Sequence, residues 1–283
     1  MQLAPHYGSE PILTLDGDPA SIAVPAIRQL RRLAATLATF TDEQWAHPSR
    51  CEGWTTRDVI LHLTPTNSYW ALSVGAGLRG EPTRFLGTFD PVASPAQMVA
   101  AASPASNAEV LAAYTASVDT WAGVLASVTG DQWNAPAEAP PGHISVSAVA
   151  HHALWDSWVH ERDIMLPLGL PTDEQPDEVA ACLRYAAALG PALAACHGRT
   201  DQGVLAVEPT GCTATPFEVA VTDRVRVRPR GDTATVPAAD LVLAGDSVQL
   251  LEAFSVRAPL PELPPTATWL VNGLRETFDA LPG

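Results

Sequence analysis

Residues 144–165 contain neither glycine nor proline. An uninterrupted stretch of this length, with apolar and polar residues mixed at helical spacing, predicts one long helix. Residues four apart in a helix lie above one another on the same face. His152, Asp156 and His160 therefore form a polar row along one face of this helix, with tryptophans beside them. Such groups are costly to bury without a partner, so the row needs one.

Spacing alone leaves two interpretations of this row open. Nitrogen and oxygen ligands at positions i and i+4 can reach one divalent cation, but a second helix must then supply another ligand. His62 is the candidate, which gives a mononuclear site of His62, Asp156 and His160 with an open coordination position. The alternative is a structural ion pair between Asp156 and His160. His152 can replace or join the ligands, but packing against its neighbours or a hydrogen bond to one of the ligands is the favoured interpretation.

The first 165 residues carry the pattern of a helical bundle. Thr55 and Asp58 have the spacing of a capping box, which predicts that a helix bearing His62 begins there. Pro65 can kink that helix. Long amphipathic or uninterrupted segments predict four main helices, over residues 18–40, 55–78, 107–128 and 144–165.

A short motif occurs twice in this half of the chain. Residues 41–45 and 129–133 both follow the pattern Thr-x-x-Gln-Trp, and each copy precedes a proline-containing loop and then a helix that bears histidine. Two similar units packed about a pseudo-twofold axis would bring His62 close to the helix over 144–165.

The pattern changes after about residue 200. Alternating and β-branched segments predict strands near residues 204–207, 217–221, 225–228 and 239–243, followed by helices over 247–255 and 268–281. We therefore expect an α+β protein of two domains, in which a four-helix bundle precedes a small α+β domain. The predicted boundaries are an extended N-terminal arm over 1–18, the bundle over 19–170 and the second domain over 171–283.

Composition restricts the function. The formal net charge of −15 disfavours binding to DNA or RNA. The four cysteines show no CxxC pairing, which indicates a reduced, cytosolic protein. The N-terminus has no signal-peptide pattern, and we expect no membrane-spanning segment. A cytoplasmic protein that binds no nucleic acid and no membrane is predicted, and its oligomeric state cannot be deduced.

Three segments carry a resemblance to a known family. Residues 51–63, CEGWTTRDVILHL, closely resemble a signature of the mycothiol-dependent maleylpyruvate isomerase family, which belongs to the DinB-like metalloproteins. Residues 151–164 resemble the second signature of that family, in which an acidic residue and a histidine four apart complete a metal site. Residues 250–260, LLEAFSVRAPL, resemble a late motif of the family. The resemblance covers most of the chain.

The resemblance implies a DinB-like bundle followed by an α+β domain of the SCP2-like type. It implies that His62, Asp156 and His160 bind a divalent metal, with zinc as the expected ion, and that mycothiol is the thiol co-substrate. The family's characterised isomerase has Glu where this chain has Asp156, so the ion is expected closer to the helix or more weakly held.

A cation-bound thiol loses its proton near neutral pH and can attack an electrophilic small molecule. Addition, rotation and loss of the thiol would give cis–trans isomerisation, whereas retention of the thiol would give mycothiol S-transfer, in detoxification or secondary metabolism. The alternative function is a non-catalytic, regulatory module of the same fold that binds a metal or a thiol.

Further residues are candidates around this site. Arg257, in the late motif, and Arg57 are candidate catalytic anchors for anionic groups of the substrate or cofactor, because the planar guanidinium suits carboxylates. Surface pairing is the competing interpretation of Arg57. Trp54 and Trp158 are candidate walls of the pocket that binds the cofactor. Cys51 precedes a helix N-terminus, but we interpret it as structural because no His/Asn pair is positioned to activate it.

Overall fold

The computed structural model describes residues 3–88, 90–91, 93–102, 106–231 and 238–279. Its N-terminal half is a four-helix bundle in which α1 and α3 each pack against both α5 and α6. Two short helices, α2 and α4, lie in the connections. The helices of this half are α1 Ala23–Leu37, α2 Asp42–Trp45, α3 Thr56–Leu78, α4 Ala93–Ala101, α5 Asn107–Ser127 and α6 Val146–Met165.

The capping pattern explains where these helices begin. The Thr55 side chain accepts a hydrogen bond from the backbone N–H of Asp58, whose carboxylate accepts one from the backbone N–H of Thr55. The same reciprocal pair forms between Thr41 and Gln44, whereas in the second copy Gln132 Oε1 accepts from the backbone N–H of Thr129; the following tryptophans, Trp45 and Trp133, are buried. The α3 helix continues through Pro65 to Leu78 as one element.

The C-terminal half is a five-stranded mixed sheet with helices against it. Strand order is β1-β6-β5-β4-β7, with β1 parallel to β6, β7 parallel to β4 and the other pairs antiparallel. A separate hairpin, β2–β3, precedes α6. The elements are β1 Leu13–Leu15, β2 Pro136–Ala139, β3 Gly142–Ser145, α7 Pro176–Cys196, β4 Gly203–Thr210, β5 Phe217–Val221, β6 Val225–Pro229, β7 Leu241–Asp246, α8 Ser247–Phe254 and α9 Trp269–Asp279.

Helix α7 joins the two halves. It packs against α1 and α6 on one side and against the sheet, α8 and α9 on the other. Of its 21 residues, 15 are buried. By length and composition α7 could cross a membrane, which our sequence analysis did not anticipate, but 78% of its apolar window is buried inside the fold.

The structure confirms the mixed α+β class and differs from the sequence prediction in three strands. Residues 13–15, in the predicted N-terminal arm, form β1 at the edge of the C-terminal sheet. The β2–β3 hairpin was not predicted either. The domain boundaries stay a prediction, and the start of the arm at residues 1–2 and the end of the last helix at 280–281 lie outside the described residues.

Candidate metal centre

Two helices bring the three predicted ligands together. His62 lies two turns into α3, while Asp156 and His160 lie one turn apart on α6. One ligand atom from each of the three lies within 4.8 Å of the others. The rings of His62 and His160 have centroids 5.1 Å apart, and His160 Nε2 lies 3.6 Å from Asp156 Oδ1.

His62 has the state that a ligand needs. Burial, together with the nearby positive charge of His160, lowers the pKa of His62 to about 3, so its imidazole is neutral at pH 7. Its Nδ1 is buried and makes no hydrogen bond to any described residue. An unpaired buried nitrogen costs about 1–3 kcal/mol, which coordination through that atom would offset.

His160 is oriented by a neighbouring carboxylate. Its Nδ1 lies 3.1 Å from Asp163 Oδ2, which leaves Nε2 on the side of Asp156. Burial alone would lower the pKa of His160, but hydrogen bonds to Asp163 and Cys51 and the charge on Asp156 raise it to about 10. Without a cation His160 is therefore protonated at neutral pH, and a metal would replace that proton. The donor set, two imidazoles and a carboxylate, suits zinc and similar divalent ions.

Sequence reasoning missed Asp163. This fully buried carboxylate accepts two hydrogen bonds from Arg257, at 2.9 and 2.8 Å, and one from Arg50 at 2.9 Å. Burial would raise the pKa of Asp163, but hydrogen bonds from His160 and Arg257 hold it far below its usual range. The signal in the sequence was its position three residues after His160, on the same helical face.

A second group of possible ligands shares His160. Cys51 Sγ, His160 Nδ1 and Asp163 Oδ2 also lie within reach of one another, with sulfur–nitrogen and sulfur–oxygen distances of 3.6 and 3.3 Å. Two guanidinium groups already neutralise Asp163, and Arg257 Nη2 lies 3.8 Å from Cys51 Sγ. A cation there would meet positive charge, so the group containing His62 is the better metal site.

Arg257 lies next to the ligands, but its guanidinium is held by Asp163. The preceding residue, Val256, has a φ of 58°, a left-handed conformation that a β-branched residue rarely adopts. This turn follows α8 directly and precedes the arginine that contacts Asp163. The anchoring role predicted for Arg257 stays a prediction.

The other predicted residues lie at different distances from the ligands. The Trp54 ring lies 5.5 Å from the ring of His62, beside the site. Trp158 is buried, with the Arg162 guanidinium 4.8 Å from its ring. Arg57 donates a hydrogen bond to Asn107 Oδ1 at the start of α5. The structure therefore brings Trp54 to the metal group, while the contacts observed for Trp158 and Arg57 are made elsewhere.

Helices α3 and α6 run antiparallel and pack against each other. His62 meets His160 at one level, and Trp70 meets His152 at another, with ring centroids 5.1 and 4.7 Å apart. The two levels are eight residues apart on each helix, which corresponds to about 12 Å. Asp156 lies between His152 and His160 on α6, so the polar row predicted from the sequence faces α3.

This arrangement defines a DinB-like helical bundle with a candidate metal centre, followed by a mixed α+β region. Residues 27–165 match the family model described as the mycothiol maleylpyruvate isomerase N-terminal domain. Residues 27–165 therefore belong to this domain family, which confirms the resemblance seen in the sequence.

Solved structures agree with this fold. The crystal structure of the mycothiol-dependent maleylpyruvate isomerase superposes with a TM-score of 0.60 at 16% identity, covering 88% of this chain and 97% of that chain. A histidine-to-alanine variant of the same isomerase gives a TM-score of 0.59 with the same identity and coverage. At this identity the likeness establishes the fold. No curated protein matches the sequence significantly.

Proposed function

We propose that this protein is a mycothiol-dependent metalloenzyme that adds a thiolate to an electrophilic small molecule. The convergence of His62, Asp156 and His160 in a chain of this family is the observation that carries the proposal. Zinc is the expected ion because the donor set is two imidazoles and one carboxylate. The solved relatives are named as mycothiol-dependent maleylpyruvate isomerases, which supports this thiol and an unsaturated keto acid as substrates.

The residues around the site have distinct tasks in this proposal. When bound, a divalent cation favours the deprotonated form of a thiol near neutral pH. His62 is kept neutral by burial, and Asp163 fixes the ring of His160 so that Nε2 faces Asp156. Trp54 covers one side of His62 and limits access of water. Arg257 holds Asp163 in place, and we expect its exposed edge to attract a substrate carboxylate.

Two reaction outcomes are compatible with these residues. In isomerisation, the thiolate forms a sulfur–carbon bond at one end of a double bond, and the adduct rotates about the resulting single bond. The double bond then forms again, and the sulfur–carbon bond breaks with its electron pair leaving on sulfur. In S-transfer, the bond persists and the product retains the thiol. We favour isomerisation because the matched family model carries that activity in its name, and S-transfer in detoxification or secondary metabolism is the second candidate.

Metal analysis of matched variants tests the centre. Purified wild-type protein should contain close to one equivalent of zinc by elemental analysis, whereas His62→Ala and His160→Ala should each lose most of it. His6→Ala is the control, because this exposed histidine is in neither group of possible ligands. Unchanged metal content in both ligand variants would contradict the centre.

Turnover separates an enzyme from a binding module. Wild-type protein with zinc and mycothiol should convert maleylpyruvate to its trans isomer, and His160→Ala should not. Metal binding without turnover of maleylpyruvate or of a bimane electrophile would favour the non-catalytic module instead. A cytoplasmic location is part of the proposal, consistent with the burial of α7 and the four free cysteine thiols.

A further inference from the structure

His152 belongs to the polar row on α6 but not to the group of possible metal ligands. It is 6% exposed and packed between aromatic rings, with centroids at 4.7 Å from Trp70, 5.3 Å from Trp155 and 5.2 Å from Tyr185. Trp155 is fixed in turn, because its Nε1 donates a hydrogen bond of 2.9 Å to Ser255 Oγ. The imidazole therefore occupies one defined position.

Tyr185 determines which ring nitrogen of His152 carries hydrogen. The Tyr185 hydroxyl is fully buried on α7 and lies 2.5 Å from His152 Nδ1. Burial raises the pKa of Tyr185 well above its ordinary value, so the hydroxyl keeps its proton. Among the described residues, the acceptor available to that proton is His152 Nδ1. If His152 Nδ1–H instead donated to the Tyr185 oxygen, the buried hydroxyl hydrogen would lack an acceptor, at a cost of about 1–3 kcal/mol.

The remaining ring nitrogen is then an N–H donor. Burial lowers the pKa of His152 to about 3, so the ring is neutral at pH 7 and its single hydrogen lies on Nε2. This atom makes no hydrogen bond to any described residue and is not fully buried. It lies on the face of α6 that carries Asp156 one turn further on.

We propose that His152, oriented by Tyr185, is a catalytic hydrogen-bond donor whose Nε2–H binds the carbonyl oxygen of the electrophile. The inference rests on the proposed function and specifies its substrate class as a compound with a carbonyl conjugated to the reacting double bond. When the thiolate forms its bond to carbon, the π electrons move to the carbonyl oxygen, where Nε2–H stabilises the negative charge. The pair returns when the carbon–sulfur bond breaks, and His152 transfers no proton.

A rigid donor aimed at a developing oxyanion is worth more than one that must be reoriented. Loss of one such donor typically costs about 10²–10³-fold in kcat. The effect is confined to reactions that build charge on oxygen. Displacement of bromide from monobromobimane builds no negative charge on a carbonyl oxygen at this site. The Nε2–H of His152 should therefore not stabilise that reaction.

The first test compares these two electrophiles with zinc and mycothiol. His152→Leu should lose about 100-fold in kcat for maleylpyruvate, while its zinc content stays that of the wild type and its loss with monobromobimane is much smaller. His152→Gln, which retains a side-chain N–H, should recover part of the loss. Equal losses on both electrophiles, or no loss on maleylpyruvate, would overturn the proposal.

The second test does not need turnover. In full-length zinc-loaded protein with ¹⁵N-labelled histidine, NMR should show His152 neutral with hydrogen on Nε2, and Tyr185→Phe should disturb that tautomer. Addition of pyruvate, a keto acid, should shift the Nε2–H signal. Hydrogen on Nδ1, a metal bond at Nε2, or an Nε2–H signal indifferent to pyruvate would each rule out the donor. Absence of wild-type turnover with both electrophiles would defeat the proposed function alone, because the ring signals decide the role of His152 independently.

Discussion

Asp163 connects the candidate ligands to the rest of the molecule through His160, Arg50 and Arg257. A carboxylate that accepts from a ligating histidine fixes its tautomer and raises its basicity. The two guanidinium groups keep Asp163 ionised in a buried position, where an unpaired charge would be unfavourable. The geometry of the candidate metal site therefore depends on a residue that is not one of its proposed ligands.

We predict that Asp163→Asn weakens zinc binding about 10–100-fold, because the amide loses the charge that holds the His160 ring. Calorimetric titration of zinc into metal-free protein measures the effect. Asp201→Asn is the matched control, since Asp201 forms an exposed ion pair with Arg199 and is in neither group of possible metal ligands. An affinity equal to that of the control would show that Asp163 does not orient His160.

At the scale of single residues, the sequence indicated the candidate ligands but not the residues that support them. His62, Asp156 and His160 were identifiable because helical spacing and the repeated motif restrict where they can lie. Tyr185 and Arg257 reach α6 from α7 and from the segment after α8, so their contacts depend on how distant elements dock. No local pattern in the sequence encodes such docking.

Helix α6 contains two buried histidines, His151 and His152, that are neutral at pH 7. His151 is fully enclosed, and its Nδ1 hydrogen-bonds to the Ser147 carbonyl. Burial lowers the pKa of His151 to about 4, and Arg184 adds to that effect. The ordinary pKa near 6.5 applies in the unfolded chain. Between these two values the unfolded state binds a proton that the folded state does not, so stability falls as the pH falls.

We predict that the free energy of unfolding decreases between pH 7 and pH 5, with about 2 kcal/mol of the decrease due to His151. The loss should begin near pH 6.5 and level off below about pH 4. In His151→Asn, which keeps a side-chain N–H for the Ser147 carbonyl, that part of the pH dependence should disappear. Urea denaturation at pH 7, 6 and 5 measures both proteins. Identical pH dependence in the two would mean that His151 titrates normally in the fold.

The elements were predictable where their signals are local. The α6 helix follows from the absence of glycine and proline over 144–165, and the start of α3 follows from Thr55 and Asp58. The β1 strand is only three residues long and pairs with β6, about 210 positions later in the chain. The β2–β3 hairpin contains Pro136 and joins two four-residue strands, which carry too few alternating positions to be recognised.

On the scale of the whole molecule, the C-terminal region is fastened to the bundle by charge. Arg28 and Arg32 of α1 both bind Glu178 of α7, and Arg32 also binds Glu161 of α6. Because Glu178 and Glu161 are buried, these ion pairs specify one docking arrangement of α7 rather than adding much net stability. The same helix carries Tyr185, whose hydroxyl bonds to His152. The position of the His152 ring therefore depends on how α7 docks against the bundle.

A second connection runs through Glu252 of α8, which accepts one hydrogen bond from Arg162 at 2.6 Å and two from Arg50 at 2.7 and 3.3 Å. The Glu252 side chain is 12% exposed, so water replaces these bonds poorly. Arg50 also binds Asp163, the carboxylate that orients His160. Only Arg50 and Asp163 therefore separate Glu252 from His160. Loss of the charge on Glu252 should therefore weaken the docking of the C-terminal region on the bundle. It should also weaken the support of Asp163 and His160 at the candidate metal site.

We predict that Glu252→Gln lowers the free energy of unfolding by about 2 kcal/mol, because three hydrogen bonds between charged groups are lost or weakened while the side-chain shape is preserved. Zinc affinity should fall by a smaller factor than in Asp163→Asn, since Arg257 still holds that carboxylate. Urea denaturation and zinc titration at pH 7 measure the two effects, with the exposed Glu262→Gln as the matched control. The stability difference should survive in about 0.5 M salt, because screening acts weakly on buried pairs. A loss below about 0.5 kcal/mol, the range of ordinary surface substitutions, would show that Glu252 does not fasten the two halves.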